Sequence, residues 1–469
     1  LRTSENEGKG ESLGAFDEDT TSQGSYANQD IYTIDGSYLI DDYTTLTFQY
    51  SDYTYETAGR ADNLVPDVTP RIGGSLDLDM LRSLGQFAVP DLRPDIEGYD
   101  NLTAQSLINK YGYMNDEGVL TGGGYVGVGS EINNQDFYRK SFEVKLDHEL
   151  ELAGMQHNLH LGFQWKEGKE VLSRLSNGWG NISYVGGLAA DNFESDIPIY
   201  YATRTEQMSL ETSSGDVVPP ITSTNESYNI ELNDTIIYGD FTYNIGFVLS
   251  NDILYGQGLK ENSANVSGYE LAPGNKYKMY ELDFMDMIQP RLGITWAYNG
   301  EDTVFANFAS YNPEATSLAR AASWARNTQA TQLVYFDENG DYIGNTGASG
   351  SSGKFFQEGL DARRTDEITL GLNQTITDEF VMRTHVRQRK AFHPWEDVPN
   401  DARLYGEYGP FGGVPANVAA QGLYIPDLAA YRNEVGGSSY VIAELDGAKN
   451  TYYEFSVEGE YVGENLYLN

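Results

Sequence analysis

Gln289-Pro290-Arg291-Leu292-Gly293-Ile294-Thr295-Trp296-Ala297-Tyr298, then Asn299-Gly300, then the run from Glu301 to Tyr311-Asn312-Pro313, is the stretch whose reading decides the fold class. Leu292, Ile294, Trp296 and Tyr298 fall on one side of a strand, and Gln289, Arg291, Gly293 and Thr295 on the other. Asn-Gly between two such runs predicts a tight hairpin with positive φ at both central residues. A long non-periodic segment starts at Pro313. Two strands with one apolar face, a tight turn at one end and a long loop at the other make the repeating unit of a transmembrane β-barrel.

The rest of the 469-residue chain repeats this unit. The first hairpin is predicted over about 31–40 and 44–56 around Asp41-Asp42-Tyr43, with residues 1–30 as a loop or arm. The second sets Phe142, Val144, Leu146 and Leu150 against Arg139, Ser141, Glu143, Lys145, Asp147 and Glu149, and turns near Ala153-Gly154-Met155. An aliphatic stripe opposite a charged stripe means that one face meets oil and the other water. The third is expected at about 227–243 and 246–256, linked near Asn244-Ile245-Gly246. The opening stretch is the fourth. The fifth pairs Ile368, Leu370 and Leu372 with Phe380, Met382 and Val386 on the outward face. The sixth carries Tyr453, Phe455, Val457 and Tyr461 outward and continues at Leu466 and Leu468. Six hairpins make about twelve strands between 31 and 469. The connections over 57–136, 168–226, 257–285, 313–365 and 391–450 are read as long extracellular loops, with a short helix over 317–324.

Composition agrees. Mean hydropathy is −0.48, and no run of about 18 apolar residues predicts a membrane-crossing helix. Barrel strands put one apolar residue in two and look polar on average. The net charge of −40 argues against nucleic acid as a partner, because phosphate binding needs a basic footprint. Cysteine is absent, which excludes a disulfide-stapled or thiolate-ligated design.

The ordered set of Gln289–Gly293 through Tyr311-Asn312-Pro313, Asp366-Glu367-Ile368-Thr369-Leu370-Gly371-Leu372 and Tyr453-Glu454-Phe455-Ser456-Val457-Glu458 resembles the barrel of TonB-dependent outer-membrane transporters. Ser317-Leu318-Ala319-Arg320-Ala321-Ala322-Ser323-Trp324 is similar to the Oar-like branch. The resemblance implies an all-β, 22-stranded barrel in the bacterial outer membrane, in contact with lipid and lipopolysaccharide. It also implies an N-terminal plug and a TonB box that couples import of a small molecule, glycan or peptide to the TonB complex. Neither the plug, the TonB box nor the closing strand lies in this sequence, so residues 1–469 are read as an incomplete barrel domain. The alternatives are a plugless porin-like channel and a secreted or surface β-rich carbohydrate-binding protein or adhesin. The last would need its apolar stripes buried between two sheets.

No catalytic constellation is present, and the expectation is not an enzyme. His157-x-x-His160 lacks the convergent ligands of a metal site, and Gly122-Gly123-Gly124-Tyr125 lacks the context of a phosphate loop. Asp337, Asn339 and Asp341 alternate like the start of a calcium loop, but position 348 is Ala where the bidentate Glu belongs. A hairpin turn at Asn339-Gly340 competes with a Ca2+ site there. Arg383, Arg387 and Arg389 form a lumen-facing basic stripe opposite Glu454, Glu458 and Glu460, read either as an anion-attracting wall or as a cross-strand ladder pairing Arg387 with Glu454 and Arg383 with Glu458. Trp179, Tyr184, Trp324, Tyr405 and Tyr408, and also Tyr200 and Tyr201, are loop aromatics suited either to stacking on a ligand or to packing the loops on themselves.

Overall fold

The computed structural model describes residues 2–11, 16–61, 63–65, 70–206, 220–315, 323, 331–347, 353–357, 359–399, 434–435, 440–444, 447–463 and 466–468. Among these, the main element is a 14-stranded sheet whose pairings are all antiparallel. Its strands follow one another in chain order: Arg2–Glu11, Gln23–Asp41, Thr44–Ala61, Glu131–Leu152, Met155–Ser176, Ile221–Tyr238, Phe241–Glu261, Ile288–Ala297, Thr303–Tyr311, Arg364–Thr377, Phe380–Phe392, Asn450–Gly463 and Leu466–Leu468. Tyr269–Leu282 pairs with Phe241–Glu261 off this path.

Register explains why one face belongs in lipid. Phe48 lies opposite Val144, Val144 opposite Phe163, Phe163 opposite Ile230, and Ile230 opposite Leu249. One row along, Leu46, Leu146, Leu161, Leu232 and Phe247 line up in the same way. Further round, Leu292 meets Phe308, Phe308 meets Ile368, Leu370 meets Val386, and Val386 meets Phe455. Because side chains alternate with period two, one apolar row in register makes a continuous apolar belt. Among the described residues no second layer covers it: Tyr453 is 71% exposed and Phe455 70%. The secreted-protein reading needs these rows buried, and here they are exposed. Among the described residues no helix is long and apolar enough to cross a membrane; the crossing elements are strands, and the sheet is the wall of a transmembrane β-barrel.

Five expectations need correction. The 1–30 arm contains the strand Arg2–Glu11, which pairs with the early part of Gln23–Asp41. Its sequence has no apolar alternation to reveal it. Second, the third hairpin turns at Gly239-Asp240, where Gly239 has φ +56°, and not at Asn244-Ile245-Gly246. Gly246 is a mid-strand close contact, since a Cβ there would sit 2.5 Å from the Leu232 carbonyl oxygen. Third, the fourth turn spans 298–302, and only Gly300 takes positive φ. Asn299 closes it with its side chain, Oδ1 accepting from the Asp302 N–H at 2.7 Å. Fourth, the 257–285 connection contains Tyr269–Leu282.

The fifth correction is the largest. The long connections fold together into a cap at one end of the wall. Tyr342–Asn345, Thr331–Phe336, Ile199–Glu206, Asn181–Leu188, Gln86–Ala88 and Tyr125–Gly127 form a six-stranded sheet in that order. The helix Asn101–Tyr111 packs beside it through Ala104, Leu107 and Ile108. The helix starts where Asp100 Oδ1 accepts from the Leu102 and Thr103 N–H groups at 3.0 and 3.1 Å, which satisfies two otherwise orphan donors. Leu81, Phe87, Ile182, Val334 and Phe336 close the core.

Candidate functional site

The face opposite the apolar belt carries the polar side chains, and it is the candidate functional surface. Its chemistry follows from the same period-two rule: a strand that shows Phe142, Val144 and Leu146 to lipid must show Glu143, Lys145 and Asp147 to the lumen.

The basic stripe is answered acid by acid. Arg387 sits in register with Glu454 and Arg383 with Glu458. Arg387 Nη1 is 3.2 Å from Glu454 Oε2. Arg383 reaches Glu458 Oε1 at 3.3 Å and Glu460 Oε2 at 2.8 Å. Arg389 turns the other way and pairs with Glu367 on the preceding strand, its register partner. The Arg387 Nε also lies 3.7 Å from Glu367. His385 Nε2 and Glu454 Oε1 complete the network at 2.9 Å. This is the geometry of a cross-strand ladder, with every guanidinium facing a carboxylate. Each such pair stabilises a sheet by about 0.2–1 kcal/mol. Glu367 and His385 are members that the sequence reading did not include. Their signal was available, because Glu367 and Arg389 lie on the inward faces of two strands joined by a tight turn.

Next to the ladder is a 360 Å³ recess lined by Asn307, Tyr311, Glu367, Thr369, His385 and Arg387. Further round the wall a 250 Å³ cleft takes in Glu143, Lys166, Glu231, Asp252, Arg291 and Glu314. A relay of amides and a hydroxyl crosses its floor. Gln289 Nε2 donates to Ser250 Oγ at 2.8 Å, Ser250 Oγ to Asn229 Oδ1 at 2.6 Å, and Asn229 Nδ2 to Gln164 Oε1 at 3.3 Å. Gln289 Oε1 in turn accepts from the Asn312 N–H at 3.1 Å, which ties the 312–315 segment to the wall. Lys166 Nζ holds Glu314 at 2.7 Å. Arg291 stacks on the Tyr311 ring at 5.7 Å and faces Glu231 at 4.0 Å. The surface can hydrogen-bond a polar solute and offers charge of both signs.

The aromatic candidates divide. Trp179 is 4% exposed and meets Phe336 edge-on at 5.4 Å, while Tyr184 is 8% exposed with its hydroxyl donating to the Asp100 carbonyl at 3.1 Å. Both are cap core, as is Tyr201, and Tyr200 packs against that core. Burial pushes the phenols of Tyr184 and Tyr201 up, that of Tyr201 to about 12. Trp179 and Tyr184 are therefore not exposed to stack on a solute. Trp324, Tyr405 and Tyr408 lie outside the described residues, as does the 317–324 segment apart from Ser323.

Asp337–Asp341 forms a turn between Thr331–Phe336 and Tyr342–Asn345. Asp337 Oδ1 accepts from the N–H groups of Asn339 and Asp341 at 2.8 and 2.9 Å. Gly340 has φ +81° and its carbonyl receives the Leu76 N–H at 2.8 Å. The carboxylate that heads the calcium-like spacing is thus engaged by backbone donors. His157 and His160 point to opposite faces of Met155–Ser176, each 2.7 Å from a different carboxylate, Asp234 and Asp147.

No protein-family model and no curated protein sequence matches the chain. Among solved structures, the outer membrane transporter YddB from Escherichia coli is similar at 12% identity and a TM-score of 0.46, over 95% of this chain and 41% of that one. The pyoverdine outer membrane receptor FpvA from Pseudomonas aeruginosa, bound to pyoverdine, is similar at 10% identity and 0.43, over 99% and 48%. BauA, the ferric preacinetobactin receptor from Acinetobacter baumannii, is similar at 10% identity and 0.41, over 94% and 44%. The chain spans less than half the length of each of these outer-membrane proteins.

Proposed function

We propose that the chain forms part of the barrel of a TonB-dependent outer-membrane receptor that imports a specific small molecule, glycan or peptide across the bacterial outer membrane. The observation that carries this reading is the two-faced wall: an uncovered apolar belt on one side and a hydrogen-bonding, mixed-charge surface on the other, with a folded cap at one end. A wall of this kind passes polar solutes and keeps lipid outside. The cap is the element that gives access and selectivity. The remaining strands of a 22-stranded barrel, the plug and the TonB box would be supplied by other parts of the protein. The proposed activity is binding and transport, without chemistry on the solute.

The test is the intact mass of the native protein extracted from outer membranes in detergent. A mass well above the 52.0 kDa of this chain, with peptides from an N-terminal plug, supports the receptor. A native protein of about the chain's own mass and without a plug overturns it in favour of a porin-like channel.

A further inference from the structure

Three metal-ligating side chains converge where long connections meet the rim of the wall. His393 follows directly on the strand Phe380–Phe392, Asp361 lies just before Arg364–Thr377, and Glu444 ends Tyr440–Glu444. His393 Nδ1 is 2.6 Å from Glu444 Oε1 and 3.5 Å from Asp361 Oδ2. The three ligand atoms all lie within 4.8 Å of one another, and no other trio of His, Asp or Glu does so among the described residues.

Two carboxylates on a single ring nitrogen is the informative feature. An imidazole carries at most one proton on Nδ1 and can give it fully to one acceptor. Two anionic groups are thereby brought to one ring nitrogen, and like charges held together repel. The other paired histidines avoid it. His157 and His385 each meet one carboxylate, and His160 divides Asp147 and Glu231 between its two nitrogens. A divalent cation removes the conflict by binding all three groups at once. Zinc takes nitrogen and carboxylate oxygen at about 2.0–2.2 Å in a tetrahedron, which sets ligand atoms about 3.3 Å apart. The observed separations of 2.6 and 3.5 Å bracket that value. Calcium and magnesium prefer all-oxygen sites, so the ring nitrogen selects against them.

We propose that Asp361, His393 and Glu444 bind a zinc-class divalent cation, which staples the connection that ends at Asp361 to the one that runs from His393 through Glu444. The three protein ligands leave a fourth position for water. On binding, the Nδ1 proton leaves, to Nε2 of a neutral ring or to solvent from a charged one. A chain without cysteine has no disulfide to close these long connections, and a metal does that work. The inference stands apart from transport.

The experiment is calorimetric titration of the detergent-solubilised chain with Zn2+ alone. The expected result is one tight zinc per chain. Affinity falls at least about tenfold in His393→Asn and in Glu444→Gln, the loss typical of disturbing a metal's ligand sphere, and is kept in His157→Ala. Asn is chosen because His393 has φ +54° and Asn tolerates left-handed backbone. Asp361→Asn, at an exposed position, supplies a variant free of folding effects and shows the same direction of change. No tight zinc in the native chain, or zinc affinity unchanged in these variants, overturns the proposal.

Discussion

Trp179 separates two readings of one residue, because its indole is suited both to stacking on a solute and to filling a core. The structure places it at 4% exposure, edge-on to Phe336 and within the cluster that includes Ile182, Tyr184 and Tyr201. A buried aromatic of this size removes about 150–250 Å² from water. At about 25 cal/mol per Å² this amounts to roughly 4–6 kcal/mol as an upper bound. Trp179→Ala should therefore cost the cap about 3–5 kcal/mol, the range for Phe or Trp truncation in a core. That is comparable with the whole stability of a small domain. The assay is amide hydrogen exchange on the detergent-solubilised protein, read at Ile182, Tyr201 and Val334 in the cap and at Val144 and Leu370 in the wall. Cap protection should collapse while wall protection is kept. A Trp179→Ala protein with full cap protection would refute the core assignment and return Trp179 to the ligand-binding candidates.

Three further outcomes follow from the geometry. Thr103 and the N–H groups of Thr103 and Leu102 hold the Asp100 carboxyl below its ordinary value of 3.8. A depressed folded pKa gives stability that is present above the unfolded value and lost as pH falls through the folded one. Amides of the helix Asn101–Tyr111 should thus lose protection below about pH 4, and Asp100→Ala should cost about 0.5–2 kcal/mol at neutral pH and abolish that pH dependence. Phe48→Arg puts a charge on the lipid face and should cost about 2–4 kcal/mol in folding into vesicles, measured by urea titration. Gln49→Arg, on the opposite face and in register with Glu143, should cost less than about 1 kcal/mol by the same principle of depth-dependent lipid cost. A double-mutant cycle on Glu367→Gln and Arg389→Met should give a coupling of about 0.2–1 kcal/mol that shrinks in about 1 M salt, as expected of a half-exposed ladder pair; a coupling unmoved by salt would contradict the ladder.

The wall was legible in the sequence because its information is local. A strand buried on neither side of a core, but divided between oil and water, states its two faces residue by residue, as Phe142 to Glu149 does. The Arg383–Glu458 and Arg387–Glu454 pairings followed from that alternation and from the rule that successive wall strands pair, here across the long 391–450 connection. Arg2–Glu11 was not legible, since it carries no apolar stripe and its partner is set by backbone pairing with Gln23–Asp41. Gly246 misled because glycine serves both turns and close strand contacts, and only the approach of the Leu232 carbonyl distinguishes them. The cap was illegible for a different reason. Gln86–Ala88 pairs in parallel with Asn181–Ser183, and Tyr201 lies opposite Phe336. Contacts between segments so far apart leave no periodic trace in either one. The Asp361–His393–Glu444 cluster shares this property, with its three ligands drawn from two connections and His393 and Glu444 far apart along one of them.

Whether the wall turns one face to lipid and the other to water is read residue by residue in a single-label scan. The chain has no cysteine, so each variant carries one nitroxide label. Labels placed singly at Ser141 through Asp147, in protein reconstituted into vesicles, are read for collision with lipid-soluble oxygen and with a water-soluble nickel complex. Strict alternation is expected: oxygen access at Phe142, Val144 and Leu146, and nickel access at Ser141, Glu143, Lys145 and Asp147. Labels at 142, 144 and 146 that are immobile and reached by neither probe would mean that another layer of protein covers the apolar rows, and the membrane-barrel reading would fall.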